Sequence, residues 1–183
     1  MLTFLEYLNE SKKLVCEGGA SGHLGHVFEQ PNLTFKQIKD IFSKVFSGKL
    51  QLTEKTDGQN LAITCIDGKV KAARNKSTLK EPMDIDAVAK KFDGRGAIKD
   101  AFVNSMTDLQ KALESLSEEE QNSIFNNGKN FMALEIIYPP TKNVVDYGNR
   151  CLLQFHGVSI YDDKWERVSE DKDAAKQLYD MLQ

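Results

Sequence analysis

The sequence predicts an α+β fold built on antiparallel strands, and three observations carry that prediction. Apolar residues recur at helical steps from Ile38 to Phe46 and again from Ile98 to Leu116, while from Leu50 the pattern changes to the two-residue period of strands. The dipeptide Asp67-Gly68 separates two short strand-like runs and suits the positive φ angles of a two-residue hairpin loop. Two further strand-like runs, 130–138 and 152–162, follow a helical stretch, so helices should flank strands that pair with reversed neighbours.

At 183 residues the chain suits one domain, with helices and a glycine-rich loop over 1–49, a core over 50–183, and a helical insertion at about 82–128. A formal charge of −3 gives no overall basic signature, so any contact with nucleic acid must come from a local patch. Cys16, Cys65 and Cys151 stand far apart without a Cys-x-x-Cys pair, which reads as a reduced compartment. No apolar run approaches the ~18 residues of a membrane span, and the start lacks the basic-then-apolar layout of a secretion signal. The expectation is a soluble, cytoplasmic protein.

Taken in order, Leu2, Phe4, Leu5, Leu8 and Leu14 fall near helical spacing and predict a short amphipathic helix. Residues 18–26 break it with four glycines and the histidines His23 and His26. A phosphate-facing loop, a pair of metal ligands and a plain connector all fit this stretch. No carboxylate or cysteine nearby completes a ligand set, so no metal-ligating residue is assigned. Thr34 and Gln37 form a capping box for a helix that Gly48 ends, and Lys36, Lys39, Lys44 and Lys49 lie on or beside it. These lysines read as a solvated face or as a polynucleotide track, the former being the simpler.

Leu61, Ile63, Cys65 and Val70 then make the hairpin, and the returning strand is read as carrying Lys69, Lys71, Arg74 and Lys76, with Arg74 opposite Lys55. The insertion reads as a short helix over 86–92, a long one from Ile98, and a third opened by the capping box Ser117-Glu118-Glu119-Glu120. Strand 130–138 encloses one carboxylate, Glu135, among apolar residues, which is costly unless it is paired or functional. Strand 152–162 contains Phe155, an aromatic that fits a core position, with His156 on the other face. Trp165 and Val168 complete a hairpin, and Ser169 is expected to cap a last helix bearing Leu178, Met181 and Leu182.

The stretch that organises the chain is 51–63, Gln-Leu-Thr-Glu-Lys-Thr-Asp-Gly-Gln-Asn-Leu-Ala-Ile. Lys55 ends a strand-like run, Asp57-Gly58 allows a tight turn, and an apolar strand resumes. A nucleophilic lysine needs desolvation or nearby positive charge to lose its proton, and a rigid backbone to hold it in line. A glycine beside it lets a ligand approach the main chain. By itself Lys-x-Asp-Gly also fits an exposed hairpin lysine.

Glu54-Lys55-Thr56-Asp57-Gly58-Gln59-Asn60 resembles the nucleophile motif of the covalent nucleotidyltransferases, the superfamily of ATP-dependent polynucleotide ligases and mRNA capping enzymes. Glu54 and Asn60 are most similar to the phage-type RNA ligase 2-like branch. Ala73-Arg74-Asn75-Lys76 resembles the arginine motif that follows, Phe131 to Ile136 the strand whose glutamate binds ribose, and Leu152 to Asp162 a strand whose aromatic stacks on adenine. Ala-Leu stands before Glu135 where the family has a small residue such as Gly.

The resemblance covers roughly residues 50–162, with its motifs in order. It implies an ATP-grasp-like ligase nucleotidyltransferase (adenylation) domain, in which Lys55 attacks the α-phosphate of ATP and carries AMP, with Mg²⁺ or Mn²⁺ on the phosphates. It further implies that Arg74 positions phosphate, Glu135 holds ribose hydroxyls and Phe155 stacks on adenine. Glu54, Asp57, Gly58 and Asn60 would shape the pocket. The acceptor it implies is a polynucleotide end, RNA ahead of DNA, in nucleic acid repair in a host cytoplasm if the source is a phage.

The family's later Glu-Gly and Lys-x-Lys strands do not follow in this sequence, so the expectation is a C-terminally truncated core, a reduced member or a site that has lost chemistry. A DNA ligase, a GTP-using capping-type enzyme and a catalytically incomplete nucleotide- or nucleic-acid-binding domain on the same fold remain as alternatives.

Overall fold

Thr34 caps the first helix of the described residues, as the sequence predicts. In the computed structural model, which describes residues 32–50, 56–143 and 145–183, its Oγ1 accepts from the Gln37 N–H at 3.3 Å. The Gln37 Oε1 accepts in return from the Thr34 N–H at 2.9 Å, so both free donors at the start of helix α1 (Phe35–Phe46) are satisfied. Gly48, at φ 68°, ends the segment in the left-handed region. Residues 32–50 belong to one compact unit and Thr56–Gln183 to a second. The predicted N-terminal helix, the glycine- and histidine-containing loop 18–26, and residues 51–55 with Glu54 and Lys55 lie outside the described residues.

The second unit is α+β, with a single five-stranded antiparallel sheet among the described residues. Strands β1 (Gln59–Ile66) and β2 (Lys69–Ala73) form the predicted hairpin, with Asp67 at φ 48° and Gly68 at φ 73° in its two-residue loop. Strands β3 (Asn130–Ile137), β4 (Leu152–Tyr161) and β5 (Arg167–Asp171) complete the order β2-β1-β3-β4-β5.

Between β2 and β3 run α2 (Ser77–Lys80), α3 (Ile85–Lys91), α4 (Ala97–Leu113) and α5 (Glu118–Phe125). The Ser117 capping box at α5 is present as read from sequence. Helix α6 (Asp173–Met181) closes the chain. No helix among the described residues is long and apolar enough to cross a membrane.

Strand alternation gives the sheet two different faces. Leu61 and Ile63 of β1 with Met132, Leu134 and Ile136 of β3 are buried in one core with Phe102, Met106, Leu109 and Leu113 of α4 and Ile124 and Phe125 of α5. The helical stretch is therefore one wall of the main core. The other face holds Ala62, Ala73, Leu79, Phe131 and Tyr161, where the Phe131, Tyr161 and Trp165 rings meet within 6.4 Å of one another.

Three expectations need correction. Strand β2 stops at Ala73, because Arg74 and Asn75 donate their N–H groups to Thr78 Oγ1 and turn the chain into α2. With Ala62 paired to Ala73, position 74 falls across from Leu61 rather than Lys55. Ser169 is not a helix cap. It lies in β5, which continues to pair with β4 as far as Asp171, and Asp171 Oδ1 accepts from the N–H groups of Asp173 and Ala174 at 3.0 and 3.1 Å. His156 is the extra residue of a bulge, since β4 pairs Phe155 with Leu134 and Gly157 with Ala133.

Candidate functional site

The second sheet face changes character along the strands: aromatic at the Phe131 end, polar at the Glu135 end. The register sets Asn60, Glu135 and Gln154 side by side across β1, β3 and β4, so three polar side chains form one row. Alternation puts all three on the face away from the main core.

The chain entering β1 is tied to this row residue by residue. Thr56 Oγ1 donates to Gln154 Oε1, the Asp57 N–H donates to the Tyr147 hydroxyl at 2.8 Å, and the Gly58 N–H donates to Glu135 Oε1 at 2.8 Å. Asp57 Oδ2 accepts from the Val145 N–H at 3.4 Å, and Asn60 Nδ2 donates to the Leu134 carbonyl at 3.3 Å. Glu135 is half-buried, and its charge is matched by a backbone donor and by the field of Arg74. A carboxylate inside an apolar strand is thereby satisfied.

Gly58 has a specific steric reason. A Cβ built there would stand 2.5 Å from the Ile136 carbonyl oxygen, so the glycine allows the strand entry to lie directly on β3. The sequence reading of a turn glycine that admits a ligand is thus altered. The backbone that approaches Gly58 is the protein's own, and Gly58 has no positive φ.

Arg74 sits at the rim, half-buried. Its Nη1 donates to the Asn60 carbonyl, and its Cζ lies 5.4 Å from the centre of the Phe102 ring. Burial pushes its pKa down from the ordinary arginine value, while the Glu135 carboxylate opposes that and Arg95 adds to it. The cation is held by a carbonyl and an aromatic ring, with the Glu135 charge favouring it from farther off.

Of the residues singled out from sequence, Asp57, Gly58, Asn60 and Glu135 meet at one end of β1 and β3, and Arg74 reaches that end from the main-core side, over Phe102, to the Asn60 carbonyl. Phe155 does not join them. It pairs with Leu134 and packs against the main core, one position on from Gln154 and on the opposite face from Glu135. Glu54 and Lys55 lie outside the described residues.

Thr56, Tyr147 and Gln154 were missed by the sequence reading. Gln154 precedes an apparent core aromatic, and only the β3–β4 register shows that it neighbours Glu135. Tyr147 lies in the loop between β3 and β4 and has no periodic pattern to mark it.

The donor set fits a polyhydroxy or amide-bearing ligand. Glu135 and Gln154 keep acceptor capacity beyond the bonds their Oε1 atoms already take, Asn60 is polar on the same row with Thr56 beside it, and Arg74 supplies a fixed cation at the strand end. Among the described residues no group of three or more His, Cys, Asp or Glu side chains is placed to hold a metal ion. Searches against family models, curated proteins and solved structures returned no match to this chain.

Proposed function

We propose that the chain carries the nucleotidyltransferase core of an ATP-dependent, RNA ligase-like enzyme. In this reading Lys55 forms lysyl-AMP and passes the AMP to the 5′-phosphate of a polynucleotide, RNA ahead of DNA. The observation that supports it most is the convergence of Asp57, Gly58, Asn60 and Glu135, with Arg74 at the rim, on the stretch of chain immediately after Lys55. Residues that resemble three separate family motifs thus lie near one another, which supports the reading.

The chemistry assigned to Lys55 is a substitution at phosphorus. The unprotonated Nζ forms a P–N bond with the α-phosphorus as the bond to the bridging oxygen breaks, pyrophosphate leaves, and the amine's remaining extra proton passes to solvent. An oxygen of the acceptor 5′-phosphate then attacks the same phosphorus and the P–N bond breaks, returning the lysine. Arg74 would steady phosphate oxygens, and Glu135 would accept from ribose hydroxyls. A divalent ion, Mg²⁺ or Mn²⁺, would be carried on the ATP phosphates, and no residue here is assigned to hold it.

A second reading has its own support. With Phe155 on the opposite sheet face and Glu135 Oε1 already accepting from Gly58, the row also suits a nucleotide- or nucleic-acid-binding domain without the transfer step. The deciding experiment is incubation with Mg²⁺ and ATP labelled on the α-phosphate, beside Lys55→Ala, followed by denaturing electrophoresis. Label on the parent chain and none on the variant supports the ligase reading. Label from GTP alone points to capping-type chemistry, and no label from either nucleotide removes the enzyme.

A further inference from the structure

Helix α1 carries the most anomalous surface among the described residues. Phe35, Phe42 and Phe46 are 91%, 51% and 84% exposed, while Ile41 on the adjacent stripe is buried. The 3.6-residue period puts the three phenylalanines on one face with Lys39 among them, along roughly 16 Å of helix. Phe42 and Phe46 lie 6.4 Å apart, with their planes only 22° from parallel. Exposed rings grouped in this way mark a contact surface.

Charge selects the occupant. Residues 34–49 hold Lys36, Lys39, Lys44 and Lys49 against Asp40 alone, whereas the whole chain is at −3, so positive charge is concentrated on a segment that also exposes three phenylalanines. A polyanion is the complementary partner.

The position of Lys39 narrows the class. An interfacial membrane helix keeps its cations on the face opposite its apolar one, and a dry protein groove excludes a lysine from its centre. A strand of unpaired bases needs both together: flat rings to stack on and a cation beside them for the phosphates.

We infer that the α1 face of Phe35, Lys39, Phe42 and Phe46 binds single-stranded polynucleotide, bases stacking on the rings and Lys39 meeting the backbone. The polynucleotide partner is shared with the nucleotidyl-transfer reading, but the inference rests on α1 alone.

The test uses the full chain and a fluorescein-labelled single-stranded RNA of mixed sequence, followed by anisotropy without nucleotide or Mg²⁺. Phe42→Ala and Phe46→Ala should each weaken binding at least about fivefold. Lys39→Gln should weaken it and flatten its salt dependence. Thermal midpoints of all variants should stay with the parent.

No binding by the parent chain, or equal binding by the variants, overturns the proposal. So does a large loss of thermal stability in the phenylalanine variants, which would mean that the chain itself covers this face, and so does sedimentation with anionic vesicles in place of RNA binding. RNA binding that depends on these side chains in a protein that forms no lysyl-AMP upholds the proposal while the ligase reading alone falls.

Discussion

The Gly58 N–H donates to Glu135 Oε1 at 2.8 Å, across the end of the β1–β3 pair where a side chain at residue 58 would collide with the Ile136 carbonyl. One contact requires a glycine and satisfies a half-buried carboxylate together. It also fixes the chain that follows Lys55 onto the sheet.

Gly58→Ala should therefore destabilise the protein by about 1–3 kcal/mol, because the clash is with backbone and cannot be relieved by a side-chain rotation. Glu135→Ala should cost about 1.5–3 kcal/mol through loss of a hydrogen bond to a charged acceptor, and Glu135→Gln less. Urea unfolding of the three variants checks this. A Gly58→Ala midpoint equal to the parent's would mean that the strand entry does not lie on β3.

Arg74 and Glu135 should be energetically coupled. Burial disfavours the Arg74 cation and the Glu135 charge compensates, so removing either alone leaves the other less well matched. A double-mutant cycle with Arg74→Met and Glu135→Gln should give a coupling of at least about 0.5 kcal/mol in unfolding free energy. Simple additivity would show that the two charges do not meet. Arg74→Lys should fail to restore the parent's stability, because an ammonium lacks the flat fork that reaches the Asn60 carbonyl while lying on Phe102.

Alkaline pH should weaken the fold through Cys65 and Tyr161. The Cys65 thiol donates to Gln121 Oε1 at 3.2 Å, and burial pushes its pKa up from 9.0; burial likewise pushes Tyr161 up from 10.0. Above pH 9 the unfolded chain ionises its thiol while the folded chain still holds the proton. The unfolded state then binds fewer protons, and stability falls as pH rises.

Urea midpoints from pH 8 to 10.5 should decline, and the decline should be shallower in Cys65→Val with Tyr161→Phe. A parallel decline in parent and variant would assign the effect elsewhere. A thiol reagent at pH 8 should modify exposed Cys151 quickly and Cys65 only on unfolding.

Local signals were the legible part of this sequence. The Thr34 and Ser117 capping boxes, the Asp67-Gly68 loop and the strands around Glu135 and Phe155 are where the residue pattern puts them, since each depends on side chains a few positions apart. Arg74 was misread as strand because the Thr78 hydroxyl, which draws its N–H into a turn, gives no periodic signal. Ser169 was misread as a cap because serine serves a strand facing solvent as readily as a helix start, and pairing with β4 decided between them.

The sequence by itself determined the α+β class, the antiparallel hairpin and the helices between β2 and β3, because propensity and period are properties of neighbouring residues. Only the tertiary structure decided that Asn60, Glu135 and Gln154 form one row, that Phe155 turns away from it, and that Gly58 is needed for contact with β3. Those outcomes depend on strand register between segments distant in the chain, where a shift of one residue exchanges the two faces of the sheet.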